Sequence, residues 1–542
     1  MIQFSDLSKK ALKVIICVII ASAKPGFSQQ IDWVVYDTVN YSFNPTISNI
    51  PAAVSFDKSL TTAFLSNYVL SYNQFLFGSH SLKTIDSSGT IIQTNSIGPK
   101  STIKSLRYTP EGKLIVSGAF METLNYNGSA IFGVNEPGQF VTNAFLLCID
   151  ENGALHWSRN ITQSYPSVEI IDADAIDPNG NYWYANMGFS NANSAAVCVG
   201  AEGQDSTIFS LPAVSSLLSD MEFDASGALY LSGGIGSGSF EFGGLPVAIS
   251  SNYNRFLAKM NAVGVGKWFH TVNDITIQKH EISLDDDANI YFSGALDDSL
   301  TMGGYFMNGP DWVSDFLTAK FDSSGTILWA HDMPQGPTIT GDARLSLTQS
   351  IMADNAGFYQ FVSYRGLIDF GNGNSVGAYP AAENYGVSVM RFDTEGQLLW
   401  SLDIPTTYGL YPYSLVNSTN GSGYLVGTAS GSQQIGNDSI LVPSNFSFYT
   451  WAARFSNSIA TAFSFFDSHE PPFVFPNPSS DGRINTNTLS NNECLEIFDL
   501  QGRLRLKIMS NSNTGNIETG LPTGLYLIRG VTGKTQRWSI VR

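Results

Sequence analysis

The chain has 542 residues, too many for one small hydrophobic core, so it holds either several domains or one large repeating architecture. Charged residues make up only 14%, while 50 Gly, 35 Phe and 23 Tyr favour short strands and tight turns over long helices. The net charge is −18; both termini are basic, so the middle of the chain is strongly acidic, which argues against nucleic acid as a partner.

Residues 1–28 have the layout of a secretory signal peptide. Three lysines precede the apolar run VIICVIIASA at 14–23, which ends in small side chains and is too short to span a bilayer. Cleavage is expected after Ala23 or slightly later. No other apolar run approaches membrane-spanning length, so we predict Sec export and no transmembrane segment in the mature chain.

Three cysteines follow this segment: Cys148, Cys198 and Cys494. An odd number with no short pairing pattern argues against a disulfide framework and against a cysteine-based zinc site. We therefore expect them to be buried as small apolar side chains.

One short motif recurs along residues 82–463. It is complete in LLCIDENGALHW (146–157), TAKFDSSGTILW (318–329) and VMRFDTEGQLLW (389–400), where Gly follows Asp by three residues and Trp follows Gly by four. Four eroded copies begin at residues 82, 196, 257 and 452. Recurrence at this spacing indicates a repeating architecture. The motif residues with a predicted structural role are Asp150, Gly153, Trp157, Trp268, Asp322, Gly325, Trp329, Asp393, Gly396 and Trp400.

A second series of motifs interleaves with the first. RYTPEGKLIVSG (107–118) and MEFDASGALYLSG (221–233) are two of its copies. Each motif of either series predicts a strand, a turn that Asp opens and Gly closes, and a second strand. Two such hairpins make a four-stranded unit, in which the terminal Trp supplies an apolar face for a neighbouring sheet.

The repeat predicts an all-β fold, a β-propeller of about seven four-stranded blades over residues 29–466. Six or eight blades remain open because the first, third and last copies are degenerate, and an array of β-sandwiches is the structural alternative. IDWVVYDT (31–38) has no hairpin partner of its own, so we expect it to pair with the last blade near 450–465 and close the ring. The units resemble the propeller repeats of secreted Bacteroidetes proteins that read aspartate, two residues, glycine, then tryptophan; such repeats specify a fold and not an activity.

A Pro-rich linker at 467–475 leads to a C-terminal domain at 476–542, whose strand-like segments suffice for a small β-sandwich. This segment resembles the type A sorting domain of the type IX secretion system. The resemblance implies recognition by that machinery at the outer membrane, removal by a sortase-like peptidase, and a product that is released or joined to a surface lipopolysaccharide. The matching residues are Pro476, Asn477, Pro478, Gly482, Asp499, Gly502, Gly524, Tyr526 and Arg542.

No catalytic constellation stands out. GNSVG (373–377) lacks the strand and helix that flank a nucleophile elbow, and GGIGSGS (233–239) lacks a helix to hold a phosphate, so both are interpreted as loops. His270 and His331 each follow a motif Trp by two residues, without a third candidate ligand for a shared metal.

The stretch DADAIDPNG (172–180) concentrates carboxylates but lacks the spacing of a dedicated calcium loop. Solvated turns are the simpler interpretation. If calcium binds, Asp172, Asp174 and Asp177 are the first candidates, and no other cofactor is expected.

Two enzyme families with Asp/Gly/Trp propeller repeats fit poorly. Sialidases carry an Asp box with Asp and Gly two apart, whereas the separation here is three, and no arginine triad can be assigned. Quinoprotein dehydrogenases have a similar tryptophan repeat, but their adjacent cysteines are absent here.

These patterns predict a secreted or surface-displayed, non-catalytic module that binds an extracellular glycan or protein. The alternative is an extracellular polysaccharide hydrolase or lyase with its site in the propeller funnel. A carboxylate pair there with an arginine or metal nearby would favour the enzyme. A structural surface-layer role is a third possibility.

Overall fold

The computed structural model divides the chain into two units, Gln29–Ser458 and a second that joins Ile459–Arg542 with Met1–Ser28. The structure describes residues 28–39, 51–55, 58–72, 75–133, 142–165, 168, 171–186, 194–211, 216–251, 254–273, 280–296, 299–307, 315–333, 344–371, 374–377, 385–406, 410–419, 422–431, 433–435, 438–440, 448–458, 483–485, 494–499, 504–509, 516–521, 524–529 and 535–540. These residues are nearly all β, as predicted, with antiparallel sheets throughout. Their single helix has four residues, so none of the described helices is long enough to cross a membrane.

The strands of the larger unit fall into groups of four, which we number along the chain. Groups 1 and 2 form one sheet, in the order β2-β3-β4-β5-β6-β8-β9 with β7 on β6. The long strand β5 belongs to both groups, since its first part pairs with β4 and its second part with β6. The elements are β1 (Ser28–Val39), β2 (Ala52–Val54), β3 (Leu60–Tyr72), β4 (Phe75–Ile85), β5 (Ile91–Tyr108), β6 (Leu114–Tyr126), β7 (Ser129–Phe132), β8 (Thr142–Ile149), β9 (Leu155–Asn160) and the helix α1 (Ile161–Ser164).

Groups 3, 4 and 5 are separate four-stranded sheets, in the orders β10-β11-β12-β13, β14-β15-β18-β19 and β20-β21-β24-β25. Groups 4 and 5 each insert a small hairpin between their second and third long strands. The elements are β10 (Ala173–Ile176), β11 (Tyr182–Asn186), β12 (Ala195–Val199), β13 (Asp205–Ser210), β14 (Ser216–Phe223), β15 (Leu229–Ile235), β16 (Gly238–Phe242), β17 (Leu245–Ile249), β18 (Asn254–Met260), β19 (Gly266–Asn273), β20 (His280–Leu284), β21 (Ile290–Leu296), β22 (Leu300–Met302), β23 (Tyr305–Met307), β24 (Asp315–Phe321) and β25 (Ile327–Met333).

Group 6 has the order β26-β27-β30-β31, and group 7 has the order β32-β33-β36-β1. The N-terminal strand β1 therefore pairs with β36, which confirms the predicted pairing of residues 31–38 with the last repeat. The elements are β26 (Arg344–Asp354), β27 (Gly357–Arg365), β28 (Leu367–Gly371), β29 (Asn374–Gly377), β30 (Tyr385–Phe392), β31 (Leu398–Thr406), β32 (Leu410–Thr419), β33 (Ser422–Ser430), β34 (Gln433–Ile435), β35 (Asp438–Ile440) and β36 (Phe448–Ser458).

The groups stack face to face, so the central strands are buried on both sides. Each residue of β15 is buried, and alternate residues face different neighbours. Leu229 and Leu231 pack into the core shared with group 3, whereas Tyr230 packs into the core shared with group 5. Exposed and more buried residues alternate on an outermost strand such as β9, whereas a strand covered on two faces needs mostly apolar residues.

The first strands of the groups contact one another in a closed circuit. β10 contacts β14, β14 contacts β20, β20 contacts β26, β26 contacts β32, and β32 contacts β2. β2 contacts β5, which contacts β10. A separate apolar cluster joins group 7 to group 1 and contains Trp33, Phe64 and Tyr424. Neither end of the series thus leaves an apolar face uncovered.

The second unit contains the sheet β39-β38-β41-β42 and the strand pair β37-β40. Ile497 and Ile528, which are register partners on its two central strands, are buried. The elements are β37 (Arg483–Asn485), β38 (Cys494–Asp499), β39 (Leu504–Met509), β40 (Asn516–Glu518), β41 (Gly524–Arg529) and β42 (Thr535–Ile540).

The cysteines and the glycine-rich stretches of the larger unit can now be placed. Cys148 and Cys198 are buried and free of disulfides, as expected. The two glycine-rich stretches were predicted as loops, which is wrong for most of their residues. Residues 374–377 form β29, and residues 233–239 include the end of β15 and the start of β16. Gly238 begins the first strand of the hairpin β16–β17 and Gly377 ends β29, whereas Gly233 and Gly234 lie on β15, where small residues fit closely packed strands.

Candidate functional site

The turn of the repeat is held by its aspartate and its glycine. One oxygen of Asp322, Oδ1, accepts the backbone N–H groups of Ser324 at 2.9 Å and Thr326 at 2.8 Å. The Ser324 hydroxyl also donates to this carboxylate and lowers the pKa of Asp322. Gly325 adopts a φ of +87°, which a residue with a side chain tolerates poorly. Asp150 and Asp393 accept the equivalent pairs of N–H groups.

The motif tryptophan does more than pack: its indole donates to the corresponding turn of the next group. Trp329 Nε1 donates to the carbonyl of Thr394 at 2.9 Å, and Trp157 Nε1 donates to that of Ala201 at 2.8 Å. Trp268 Nε1 contacts the carbonyl of Ser323 at 3.4 Å. In each case the acceptor is the residue directly after the Asp position, so the motif of one group binds the turn of the next.

The motif glycine has a second role at this junction. A Cβ atom added to Gly325 would lie 2.9 Å from Trp268 Cδ2, closer than carbon atoms pack.

Trp400 differs from the other motif tryptophans, because it packs on Phe455 of group 7 with ring centroids 6.4 Å apart.

The last junction uses a tryptophan from the start of the chain. Trp33 on β1 donates from Nε1 to the carbonyl of Ser87 at 3.1 Å, and Ser87 follows the turn residue Asp86 of group 1. Trp33 is thus the motif tryptophan of the group 7 junction, although the eroded motif copy at 452–463 ends in Phe463. Residue 463 lies outside the described residues.

His270 and His331 support the same junctions. Their rings lie against the motif tryptophans, with centroids 5.1 Å from Trp268 and 4.8 Å from Trp329. His331 Nε2 also contacts the carbonyl of Glu395 in the next turn at 3.3 Å. Burial lowers the pKa of both imidazoles, which favours their neutral form. The two histidines therefore serve separate junctions rather than one metal.

The first strands carry the polar side chains of greatest chemical interest. An edge strand leaves N–H groups unpaired, and here the preceding group supplies acceptors for them. Asp220 Oδ2 accepts the N–H of Ile282 at 2.9 Å, and Glu222 Oε2 accepts that of Leu284 at 3.3 Å. The same arrangement recurs one group later, where Glu281 and Ser283 accept the N–H groups of Ile351 and Ala353.

Asp174 is the centre of a polar network that links β5, β6, β10 and β11. Its buried carboxylate accepts hydrogen bonds from Arg107 Nε at 2.9 Å, Ser117 Oγ at 3.1 Å and Tyr182 OH at 2.8 Å, and from the Ser105 hydroxyl. Burial opposes the charge of Arg107, but the Asp174 carboxylate outweighs it and raises the pKa of Arg107. Groups 2 and 3 are joined by this network.

Asp220 and Glu222, which accept the N–H groups of β20, both have raised pKa values. Burial raises the pKa of Glu222 to about 8, and the nearby charge of Asp220 adds to the shift. Burial also raises the pKa of Asp220, while the N–H of Ile282 and the charge of Arg107 oppose that shift. Altered carboxyls beside an arginine are typical of functional sites, although structural networks produce them as well. Arg107, Asp220 and Glu222 are therefore the candidate site, which we call the carboxylate cluster.

We predict that Glu222→Gln reduces the loss of stability at high pH. Glutamine keeps an acceptor for the Leu284 N–H but cannot ionise. Because the folded-state pKa of Glu222 lies above its unfolded value, the wild type loses stability as pH rises from about 4.5 through about 8, by at most about 1.4 kcal/mol per pH unit. Urea unfolding at pH 5, 7 and 9 measures the unfolding free energy of both proteins. The variant's value minus that of the wild type should be near zero at pH 5 and largest at pH 9.

The exposed Glu241 provides the matched control for this measurement. Glu241→Gln makes the same substitution at an exposed position, and its effect on the unfolding free energy sets the baseline for the comparison. Equal pH slopes for wild type and Glu222→Gln would show that Glu222 ionises freely in the folded protein.

The calcium candidates do not converge on a metal site. The oxygens of Asp174 are occupied by the network above. Asp177 is a turn residue, which accepts the N–H groups of Asn179 and Asn181 at 2.9 Å and the indole of Trp183 at 3.0 Å. Asp172 lies ahead of β10 and is partly buried. In the part of the chain that the structure describes, no group of three or more His, Cys, Asp or Glu residues could hold a metal ion.

The sorting-signal residues are described in part. Asp499 on β38 and Tyr526 on β41 are register partners, and Gly524 begins β41. The signal peptide up to residue 27 and the linker at 467–475 lie outside the described residues. The same holds for six of the predicted sorting residues: Pro476, Asn477, Pro478, Gly482, Gly502 and Arg542.

Sequence reasoning missed the carboxylate cluster. Asp220 and Glu222 occur in SDMEFD, directly before the turn residue Asp224, so they resemble ordinary turn polarity. The available signal was their spacing of two on a strand, which places both on one face. Arg107 likewise lies two residues before the turn of its own motif copy, RYTPEGKLIVSG (107–118).

No family model matches this sequence, and no curated protein matches it. Remote similarity exists to virginiamycin B lyase from Staphylococcus aureus, with 11% identity over 77% of this chain and 99% of that one and a TM-score of 0.37. A DUF4221 family member from Bacteroides vulgatus has 10% identity over 80% and 100%, with a TM-score of 0.31. PorZ, a surface component of the type IX secretion system of Porphyromonas gingivalis, has 10% identity over 93% and 76%, with a TM-score of 0.26. Similarity at this level assigns neither a family nor a function.

Proposed function

We propose that residues 29–466 form a seven-bladed β-propeller that binds an extracellular glycan or protein without catalysing a reaction. Each group of four strands would be one blade. The closed circuit of first strands supports this count, and so does Trp33, which supplies the seventh junction from the N-terminal strand. A non-covalent closure of this kind would let the first and last blades join without an extra element.

One observation carries the choice of binding over catalysis. The carboxylates on the first strands accept backbone N–H groups of the next group, as Asp220 does from Ile282 and Glu281 does from Ile351. Carboxylates used in this way space the strands and satisfy edge groups. This use leaves them poorly placed to act on a substrate.

We also propose that the chain leaves the cell through the type IX secretion system. The residues EIFD at 496–499 and GLYLIR at 524–529 carry the resemblance to a sorting domain, and they lie on the paired central strands β38 and β41. A second layer formed by β37 and β40 would complete the predicted β-sandwich. The machinery and a sortase-like peptidase would then be partners of this domain.

A hydrolase or lyase acting on an extracellular polysaccharide is the second candidate. The carboxylate cluster favours it, because a glutamic acid with a pKa near 8 is protonated at neutral pH and could serve as a general acid. Arg107 could stabilise negative charge on a bound acidic sugar.

The test uses the full chain expressed in a bacterium that has the type IX machinery. The protein should reach the medium or the cell surface, and deletion of residues 476–542 should retain it in the cell. The exported protein is then applied to immobilised polysaccharides, with retention and released sugar both measured. We expect retention on at least one polymer and no release.

Release of sugar that Glu222→Gln abolishes would establish the enzyme in place of the binding module. Export that persists without residues 476–542 would contradict the sorting role. Neither retention nor release on any polymer or extracellular protein would contradict both functions.

A further inference from the structure

Small hairpins cover the outermost strands of several groups. Over group 1, the Asn127 N–H of the β6–β7 turn donates to the Ser96 carbonyl on β5 at 3.3 Å, and Asn127 Oδ1 accepts the Ser96 N–H at 3.0 Å. Over group 4, the Gly266 N–H of β19 donates to the carbonyl of Gly243 in the β16–β17 turn at 2.8 Å. Over group 5, the Tyr305 hydroxyl of β23 donates to a carbonyl of β25 at 2.7 Å. These hairpins satisfy edge groups that an outermost strand leaves unpaired.

The outermost strand of group 3, β13, has no such cover among the residues that the structure describes. No small hairpin is found between β11 and β12 in the described part of this group. Four of the six residues of β13 are exposed. By contrast, Leu328 alone is exposed within residues 327–332 of β25. The edge of β13 is therefore open to solvent.

Two residues of β13 direct their backbone groups to this open edge. The Leu211 N–H donates to the Ser194 carbonyl at 3.0 Å, and in an antiparallel ladder every second residue pair is hydrogen-bonded. Counted back in register, Phe209 forms its backbone hydrogen bonds with β12, whereas Ile208 and Ser210 occupy the alternate pairs. The N–H and C=O groups of Ile208 and Ser210 thus point away from the sheet.

β13 also lacks the features that usually protect an edge. Charged side chains, above all lysine, and prolines keep exposed edges from pairing with other chains. Residues 206–210 have neither, and Ile208 is 54% exposed. The single charge of the strand, on Asp205, is paired with Arg159 of group 2. An edge of this kind suits another extended and uncharged strand.

We propose that β13 is a self-association surface, at which two copies of this chain pair strand to strand in antiparallel orientation. A twofold axis brings the same edge of both copies together. Charge selects a second copy of β13 as the occupant. The chain carries a net charge of −18, so most contacts between two copies would oppose carboxylates, whereas residues 206–210 are neutral.

The size of this contact sets its strength. One pair of six-residue strands buries much less than the about 800 Å² per partner of a standard interface. The dimer is therefore weak and forms at high protein concentration. Higher salt should favour it, because salt screens the repulsion between two acidic bodies.

The experiment is sedimentation velocity of the full chain at increasing concentration, with hydrogen exchange as a second readout. We expect a monomer–dimer equilibrium that salt shifts toward the dimer. Over the same concentrations the N–H groups of Ile208 and Ser210 should become protected, while that of Phe209 is protected throughout. Protection of these two N–H groups distinguishes strand pairing from a contact between side chains.

Three variants test the edge itself. Ile208→Lys should weaken dimerisation at least about tenfold, since it places a charge on each of the paired strands. Ser210→Pro removes an N–H group that points to the open edge and should weaken dimerisation without adding a charge. Ile92→Lys is the matched control, because Ile92 is 55% exposed on the covered outermost strand of group 1, and it should leave dimerisation unchanged.

A chain that stays monomeric at every concentration would overturn the proposal. So would a dimer that Ile208→Lys and Ile92→Lys weaken equally, or a dimer in which Ile208 and Ser210 remain unprotected. Urea unfolding of each variant separates lost pairing from lost folding. Retention on a polysaccharide is a separate measurement, so none of these results decides the proposed function.

Discussion

Replacing Trp33 by Ala is expected to lower the free energy of unfolding of the larger unit by about 3–5 kcal/mol, the usual cost of removing a large buried aromatic side chain. Trp33 is 9% exposed and packs on Tyr424 with ring centroids 5.8 Å apart. Its indole also holds the turn of group 1 through the carbonyl of Ser87. The substitution therefore leaves a cavity and breaks a junction between the two ends of the repeat.

The position of Trp33 makes a second effect measurable. β1 is the outer neighbour of β36, so a loosened β1 should expose the N–H groups of β36 to hydrogen exchange. Trp33→Phe keeps most of the burial and loses one hydrogen bond, at a cost of about 1 kcal/mol. The exposed Gln30 on the same strand offers a control, and Gln30→Ala should change neither quantity. Unaltered exchange in β36 after Trp33→Ala would mean that β1 does not close the unit.

The repeat was predictable because its signals are local. Asp322, Gly325 and Trp329 lie within eight positions, and each has a steric or hydrogen-bonding reason for its place. The pairing of β1 was predictable by elimination, since no neighbouring strand could pair with it. The identity of Trp33 as the seventh motif tryptophan could not be predicted. Its acceptor is 54 residues away, and no Asp-x-x-Gly motif stands before it in the sequence.

The rest depended on contacts between groups. The hairpins β16–β17 and β22–β23 are too short for a periodicity signal. Asp220 and Glu222 acquire their role from the edge of β20, about sixty residues later in the chain, and nothing near them in sequence reveals that edge.

Asp174→Ala is expected to destabilise the larger unit by about 3–5 kcal/mol, since it removes a buried acceptor and leaves the buried hydroxyls of Ser117 and Tyr182 unsatisfied. The Asp174 side chain is 3% exposed, whereas that of Arg107 is 42% exposed. Arg107→Met should therefore cost less, because Asp174 would keep the hydroxyls of Ser117 and Tyr182 as donors. The double variant should lose less stability than the sum of the two single losses, as expected for residues in one network. Denaturant unfolding of the wild type, the two single variants and the double variant measures the three losses of stability. A larger loss for Arg107→Met than for Asp174→Ala would contradict the assignment of Asp174 as the centre of the network.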